Sequence, residues 1–354
     1  MVGKGWGWLV KIGILLGDDI GLEVVPECVK VMKAAGERSG LGIDWRPLPI
    51  GRQGHKELGD TYPAVTAREL RELDGWIMGP IGHNAYPRND PTWMMPPVRK
   101  EFDLFAALRP SRSYENIKSI HREVDIVFVR ELTEGMGGGP EFRPDDEVTI
   151  AMRVISRKGS ARVAREAFEV ARTRKRRKVT AAHKEPAYRL SCGMFAEECR
   201  KVAREYPDVT FEEELIDTIS MHLVTAPQRY DVIVTTNQFG DILTDIGAGL
   251  VGGLGLAPGL CVGARQAMAQ ATHGSAPDIA GKNIANPYAM ITSGRMLLEW
   301  YGRVFGEAKA VGAARRIEAA TAEVIAAGVH LTRDLGGKAS TTEMGDAIAA
   351  AVLA

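Results

Sequence analysis

The stretch that most constrains this chain runs over residues 231–259, DVIVTTNQFGDILTDIGAGLVGGLGLAPG. Val232, Ile233, Val234, Thr235 and Thr236 are apolar or β-branched without alternation, the pattern of a strand buried on both faces. A turn is expected at 237–240, then a short helix carrying Asp241 and Asp245. Four residues apart on a helix, these carboxylates share one face, just past the carboxyl end of a strand, where α/β sheets bind ligands. Two hard oxygen ligands suit Mg²⁺ or Mn²⁺. A helix cap at Asp241 and a solvated Asp245 satisfy the same pattern, so this stretch alone leaves both readings open. The glycines after Asp245 imply close backbone packing or a mobile connection.

The rest of the chain repeats the strand-then-helix theme of an α/β sheet. Residues 9–16, LVKIGILL, read as a first strand, and the turn GDDIG leads into a helix over 23–35. That turn is not GxGxxG, so the chain lacks a Rossmann fingerprint. Further strands are expected at 42–46, 75–78, 124–130, 149–156, 178–182, 209–215 and 266–272, and helices at 64–73, 98–108, 160–172, 194–205, 288–301, 308–327 and 343–353. Arg99, Arg109 and Arg130 fall at or near element ends, and arginine clamps planar carboxylates through two parallel hydrogen bonds. Singly, each arginine is better read as a surface or structural salt bridge. Lys184 follows a strand; beside a cation its pKa would fall toward a general base's range. Asp217 opens a helix and would serve as its cap. His222 reads as a packed or surface histidine. The loop HGSAPDIAGK offers backbone donors and His273 for phosphate, and Asp278 for a ribose diol.

With 45 acidic and 45 basic residues, charge gives no case for nucleic acid or membrane binding. The run RTRKRRK at 172–178 reads as the solvated basic end of a helix. Cys28, Cys192, Cys199 and Cys261 form no CxxC pair and fit inert thiols in a reducing cytoplasm. No apolar run approaches membrane-spanning length, and 1–10 lacks a signal-peptide core. A cytoplasmic globule is expected, and 354 residues suit two domains or one large one.

In order along the chain, LLGDDIG, DLFAALRP (103–110), VRELTEG (129–135), DTISMHLV (217–224), NQFGDILTD (237–245), HGSAPDIAGKNIANP (273–287) and LGGKAST resemble the isocitrate/isopropylmalate dehydrogenase family, the β-decarboxylating 2-hydroxyacid dehydrogenases. The resemblance implies a doubly wound α/β fold. It implies a large cofactor-binding domain from both chain ends (1–104 and 252–354) and a middle domain (105–251) carrying the dimer contact. Arg99, Arg109 and Arg130 would clamp the malate part of the substrate. Asp217, Asp241 and Asp245 would bind Mg²⁺ or Mn²⁺, and Lys184 would be the catalytic base. Lys184 and Asp217 would reach across a homodimer with shared active sites. NAD would be held by His273, Gly274, Ser275, Ala276, Asp278 and Asn286, with Asp278 favouring NAD by repelling a 2′-phosphate.

Three positions depart from the family's pattern. Gly137 stands near the place of a proton-donating tyrosine. Pro186 replaces an asparagine that contacts cofactor and substrate. The substrate-selecting segment before Arg99 reads WMMPPV, matching neither the isopropylmalate nor the isocitrate type and suggesting a partly apolar pocket. Tyr188, one turn past Lys184, could stand in for the missing tyrosine. The expected activity is NAD-dependent oxidation, with decarboxylation, of a (2R)-malate-like acid. The alternatives are a tartrate-type dehydrogenase without obligatory decarboxylation, or a non-catalytic nucleotide- or acid-binding relative.

Overall fold

The computed structural model describes residues 9–135 and 139–354. Its strands are β1 (Val10–Leu15), β2 (Ile43–Pro47), β3 (Gly75–Met78), β4 (Ala106–Arg112), β5 (Asp125–Glu131), β6 (Glu141–Phe142), β7 (Ile150–Ala151), β8 (Lys178–His183), β9 (Thr210–Leu215), β10 (Val232–Thr235), β11 (Leu260–Val262) and β12 (Ala267–Ala269). The helices are α1 (Gly21–Ser39), α2 (Gly51–Leu58), α3 (Ala64–Leu70), α4 (Val98–Glu101), α5 (Arg157–Arg172), α6 (Ser191–Ala203), α7 (Ile216–Thr225), α8 (Asn237–Val251), α9 (Tyr288–Phe305), α10 (Ala308–Ala327) and α11 (Thr341–Leu353).

Ten strands form one sheet in the order β2-β1-β3-β12-β11-β4-β5-β10-β8-β9. It is doubly wound, as expected, and mixed: β11 runs antiparallel to both β12 and β4, and β4 antiparallel to β5. Burial follows position. Every residue of β3 and β10 is buried, whereas the edge strands β2 and β9 have no buried residue. The unbroken apolar run of β10 is what a strand covered on both faces needs. The edge strand β9, TFEEEL, carries three consecutive glutamates, and the pleat sends them to alternate sides. Glu212 and Glu214 meet Lys178 and Tyr230, while Glu213 meets His183 and Arg200.

Four expectations change. Residues 98–108 are not one helix: α4 stops at Glu101, and the apolar run after it enters β4, so Arg109 lies inside a strand. Pro110 is tolerated there because β11 pairs only with Ala106, Ala107 and Leu108, leaving Pro110 with β5 alone. The expected strand 149–156 shrinks to the two residues of β7, exposed and paired with β6. No turn precedes Asp241: α8 starts at Asn237, capped at Thr236, and continues through Gly247 and Gly249 to Val251. The basic run at 172–178 is partly pinned rather than solvated. Arg174 Nε lies 2.5 Å from Asp231 Oδ1, a carboxylate 1% exposed, and the backbone N–H of Lys178 donates to its other oxygen.

Candidate active site

Parallel strands deliver their carboxyl ends to one rim, and the expected residues collect there. β8 and β9 are parallel, with His183 opposite Leu215. Lys184 and Asp217 therefore leave the sheet side by side, and Lys184 Nζ donates to Asp217 Oδ1 at 2.6 Å. That bond, followed by backbone donors at the start of α7, holds the exposed Asp217 carboxyl below the usual carboxylate range. Asp217 lies in the first turn of α7 rather than at its cap, which is Leu215.

On the neighbouring strands, Arg130 sits near the end of β5, opposite Thr235 of β10. It donates to Asp241 on the first turns of α8 and, at 2.8 Å, to Asn237 Oδ1. Gly240 is needed for this approach: a Cβ there would meet Arg130 Cγ at 2.5 Å. Gly259 serves Arg109 in the same way, since a Cβ would lie 2.7 Å from its guanidinium carbon. Arg109 is 5% exposed, and its hydrogen-bond partners among the described residues are neutral, Thr272 Oγ1 at 2.5 Å and Gln270 O at 3.3 Å. Arg99 donates to Gln270 Oε1 at 2.8 Å.

The three arginines feel one another. Burial pushes the Arg109 guanidinium down to about 10; Arg99 and Arg130 act in the same direction, and Asp241 opposes them. Arg130 is lowered chiefly by burial, with Arg99 contributing. Asp245 is pushed up by burial and then by the like charge of Asp241, its neighbour one turn earlier. A carboxylate raised by a neighbouring like charge gains from a shared cation. Asp241 is not the helix cap, so the capping reading of that residue fails. Among the described residues, Asp217 does not gather with Asp241 and Asp245 into one set of ligand atoms. The group that does so is His183, Glu185 and Glu213, which sequence reasoning missed because it joins the end of β8 and the turn after it to β9.

The loop after β12 packs on the first turn of the chain, where Ser275 O accepts from Ile20 N at 3.1 Å. His273 Nδ1–H donates to Gly274 O, while its buried Nε2 has no partner among the described residues. Burial lowers its pKa, and with the proton on Nδ1 the neutral ring offers Nε2 as an acceptor. Gly274 and Asp278 are exposed, and no partner of the Asp278 carboxylate is found among the described residues. Ala276 holds φ +44°, which turns the loop sharply. Asn286 is buried, and its amide serves Asp334 and the backbone of Tyr288.

Of the departures, Gly137 lies outside the described residues. Pro186 sits in a turn in which Ala187 and Tyr188 N–H both donate to Lys184 O. Tyr188 is 53% exposed and its ring faces Arg153, whose guanidinium carbon lies 5.5 Å from the centroid. Met94 and Met95 of the WMMPPV segment are exposed at 63% and 47%. All four cysteines are free and buried. No helix among the described residues is long and apolar enough to cross a membrane.

Arg109 and Arg130 thus sit with Arg99 and the paired carboxylates Asp241 and Asp245 at one end of a doubly wound sheet. Comparison with known proteins makes the class specific. A sequence model described as isocitrate/isopropylmalate dehydrogenase matches residues 11–348. The chain is 40% identical to the 3-isopropylmalate/3-methylmalate dehydrogenase of Methanocaldococcus jannaschii, covering 96% of this chain and 98% of that one. It is 37% identical to the isocitrate/homoisocitrate dehydrogenase of Thermus thermophilus, covering 97% and 98%. The crystal structure of isocitrate dehydrogenase from Methylococcus capsulatus superposes with a TM-score of 0.87 at 38% identity, over 98% of this chain and all of that one. The chain belongs to the isocitrate/isopropylmalate dehydrogenase family, and is an enzyme of that type.

Proposed function

We propose that this protein oxidises a (2R)-malate-like 2-hydroxy dicarboxylic acid, a 3-substituted malate, with loss of CO₂, using NAD and Mg²⁺ or Mn²⁺. The observation that carries the reading is the cluster of Arg99, Arg109 and Arg130, opposed by the carboxylates of Asp241 and Asp245. Three guanidiniums against two acids leave a surplus of positive charge, which an acidic substrate meets through paired hydrogen bonds. The exposed methionines before Arg99 support an apolar substituent on the acid. The M. jannaschii relative is named for 3-isopropylmalate and 3-methylmalate.

The residues present fit both implied cofactors. Asp241 and Asp245 of one protomer, with Asp217 from its partner in a homodimer, supply hard oxygen donors for a divalent cation. The orphaned His273 Nε2 and the free Asp278 carboxylate suit a dinucleotide; Asp278 would bond a ribose diol and repel a 2′-phosphate. Gly274, Ser275, Ala276 and Asn286 would frame that site. Bound there, the cation would supply Lewis-acid chemistry and the dinucleotide hydride-acceptor chemistry. The arginines orient the acid and Lys184 takes the proton of its 2-hydroxyl. The chain ends, 1–104 and 252–354, form the cofactor domain and 105–251 the middle domain in this reading.

The test is NADH formation with Mn²⁺ across isopropylmalate, methylmalate, isocitrate, malate enantiomers and tartrates, with CO₂ followed in parallel. Turnover of a 3-alkylmalate with stoichiometric CO₂ is expected. Turnover of tartrate without CO₂ would move the reading to the tartrate type. Tight NAD and Mn²⁺ binding with no turnover would overturn it.

A further inference from the structure

Lys184 is flanked by two residues tied to Arg200, one directly and one through Glu213. Glu185 Oε2 accepts from Arg200 Nη2 at 2.8 Å. His183, 5% exposed at the end of β8, lies 3.1 Å from Glu213 Oε2 through its Nε2. Its Nδ1 accepts from the backbone N–H of Glu185 at 3.2 Å, so the ring proton of the neutral form sits on Nε2 and is donated to Glu213. Glu213 in turn takes both arms of Arg200, Nε at 2.7 Å and Nη2 at 2.7 Å. The ligand-type atoms of His183, Glu185 and Glu213 lie within 4.8 Å of one another, as in a cation site. The guanidinium of Arg200, reaching over from α6, supplies the cation.

We propose that Arg200 is a positioning residue for Lys184. It grips the residue after the lysine directly and the residue before it through Glu213 and His183. The lysine's own carbonyl is meanwhile held by the N–H groups of Ala187 and Tyr188. With both neighbours fixed on one side, the Lys184 side chain is left to project toward Asp217. In a site assembled from two protomers the base must arrive in register without help from its own chain's arginine clamp. A rigid base turn meets that need, since a small misplacement of a reacting group costs rate steeply. The guanidinium fork is essential to the design: a lysine at 200 would carry the charge but could not hold two carboxylates in a fixed plane.

This inference rests on Lys184 acting as the base, so its test has an arm independent of turnover. Arg200 is 43% exposed at its side chain, and half-exposed ion pairs add little to global stability. Arg200→Met should therefore fold with a melting temperature near that of the parent. Hydrogen exchange in Arg200→Met should quicken at the amides of Glu185, Ala187 and Tyr188 and not elsewhere, with partial protection regained in Arg200→Lys. On the acid that the parent turns over, kcat should fall about tenfold with KM for NAD and acid unchanged, and Arg200→Lys should recover part of it. Unchanged exchange at those amides overturns the proposal, as does quickened exchange with an unchanged kcat. If the parent turns over no acid, the functional reading fails and the exchange result alone decides the positioning claim.

Discussion

At the scale of single residues, the site depends on two side chains that are missing. Gly240 and Gly259 let Arg130 and Arg109 lie flat against backbone, where a methyl group would intrude. In Gly240→Ala, relief of backbone entropy inside α8 is worth about 1 kcal/mol, whereas overpacking against Arg130 costs roughly 1–3 kcal/mol. We expect a slightly lower melting temperature and a KM for the acid raised about tenfold, as one charge-assisted hydrogen bond loses its geometry; steady-state kinetics would check this. The residue types were legible in the sequence because NQFGDILTD and HGSAPD carry their chemistry in adjacent positions. The Arg200 grip was not, since its partners at 183, 185 and 213 meet only through strand pairing and a helix that returns over them.

At the scale of elements, α5 and α6 form a pair whose surroundings are laced by ion pairs: Arg165 with Glu205, Arg172 with Asp208, and Arg157 with Glu197. Arg165 holds Glu205 below its ordinary 4.5, and Arg172 holds Asp208 below its ordinary 3.8. Lys201, then Arg157, does the same for Glu197. Groups depressed in the folded state stabilise it above their ordinary pKa and lose that effect as pH falls through the folded value. Protection of the α5 and α6 amides relative to intrinsic exchange should thus hold above pH 4.5 and fall below it. Added salt at neutral pH should weaken the same protection, because these pairs are exposed. The reach of elements was readable wherever a period or a cap marked it, as in β3, α10 and β10. It failed at β4, where a strand covered on both faces shows no alternation and follows a single helical turn without a break.

At the scale of the whole molecule, Phe142, Ile150, Met152 and Val154 are exposed around the β6–β7 ribbon, as are Met221, Val224 and Ile242 on α7 and α8. So many exposed apolar side chains favour burial against a second copy. If Lys184 and Asp217 serve the partner's site, Lys184→Ala and Asp241→Asn are complementary defects. Each homodimer should be inactive, while refolding an equal mixture should return about a quarter of parental activity, from one intact site in each mixed dimer; sites confined to single protomers would return none. The sheet itself suggests how such a site could change width. Its two halves, one from 10–78 and 260–269, the other from 106–131 and 178–235, meet only where β11 runs beside β4. That join has three rungs, Leu260 to Leu108, Cys261 to Ala107 and Val262 to Ala106. A beam spliced by short overlaps bends where the overlaps are, and here three follow one another, β3–β12, β12–β11 and β11–β4, each of three rungs, between the loop after β12 and the rim that carries Lys184.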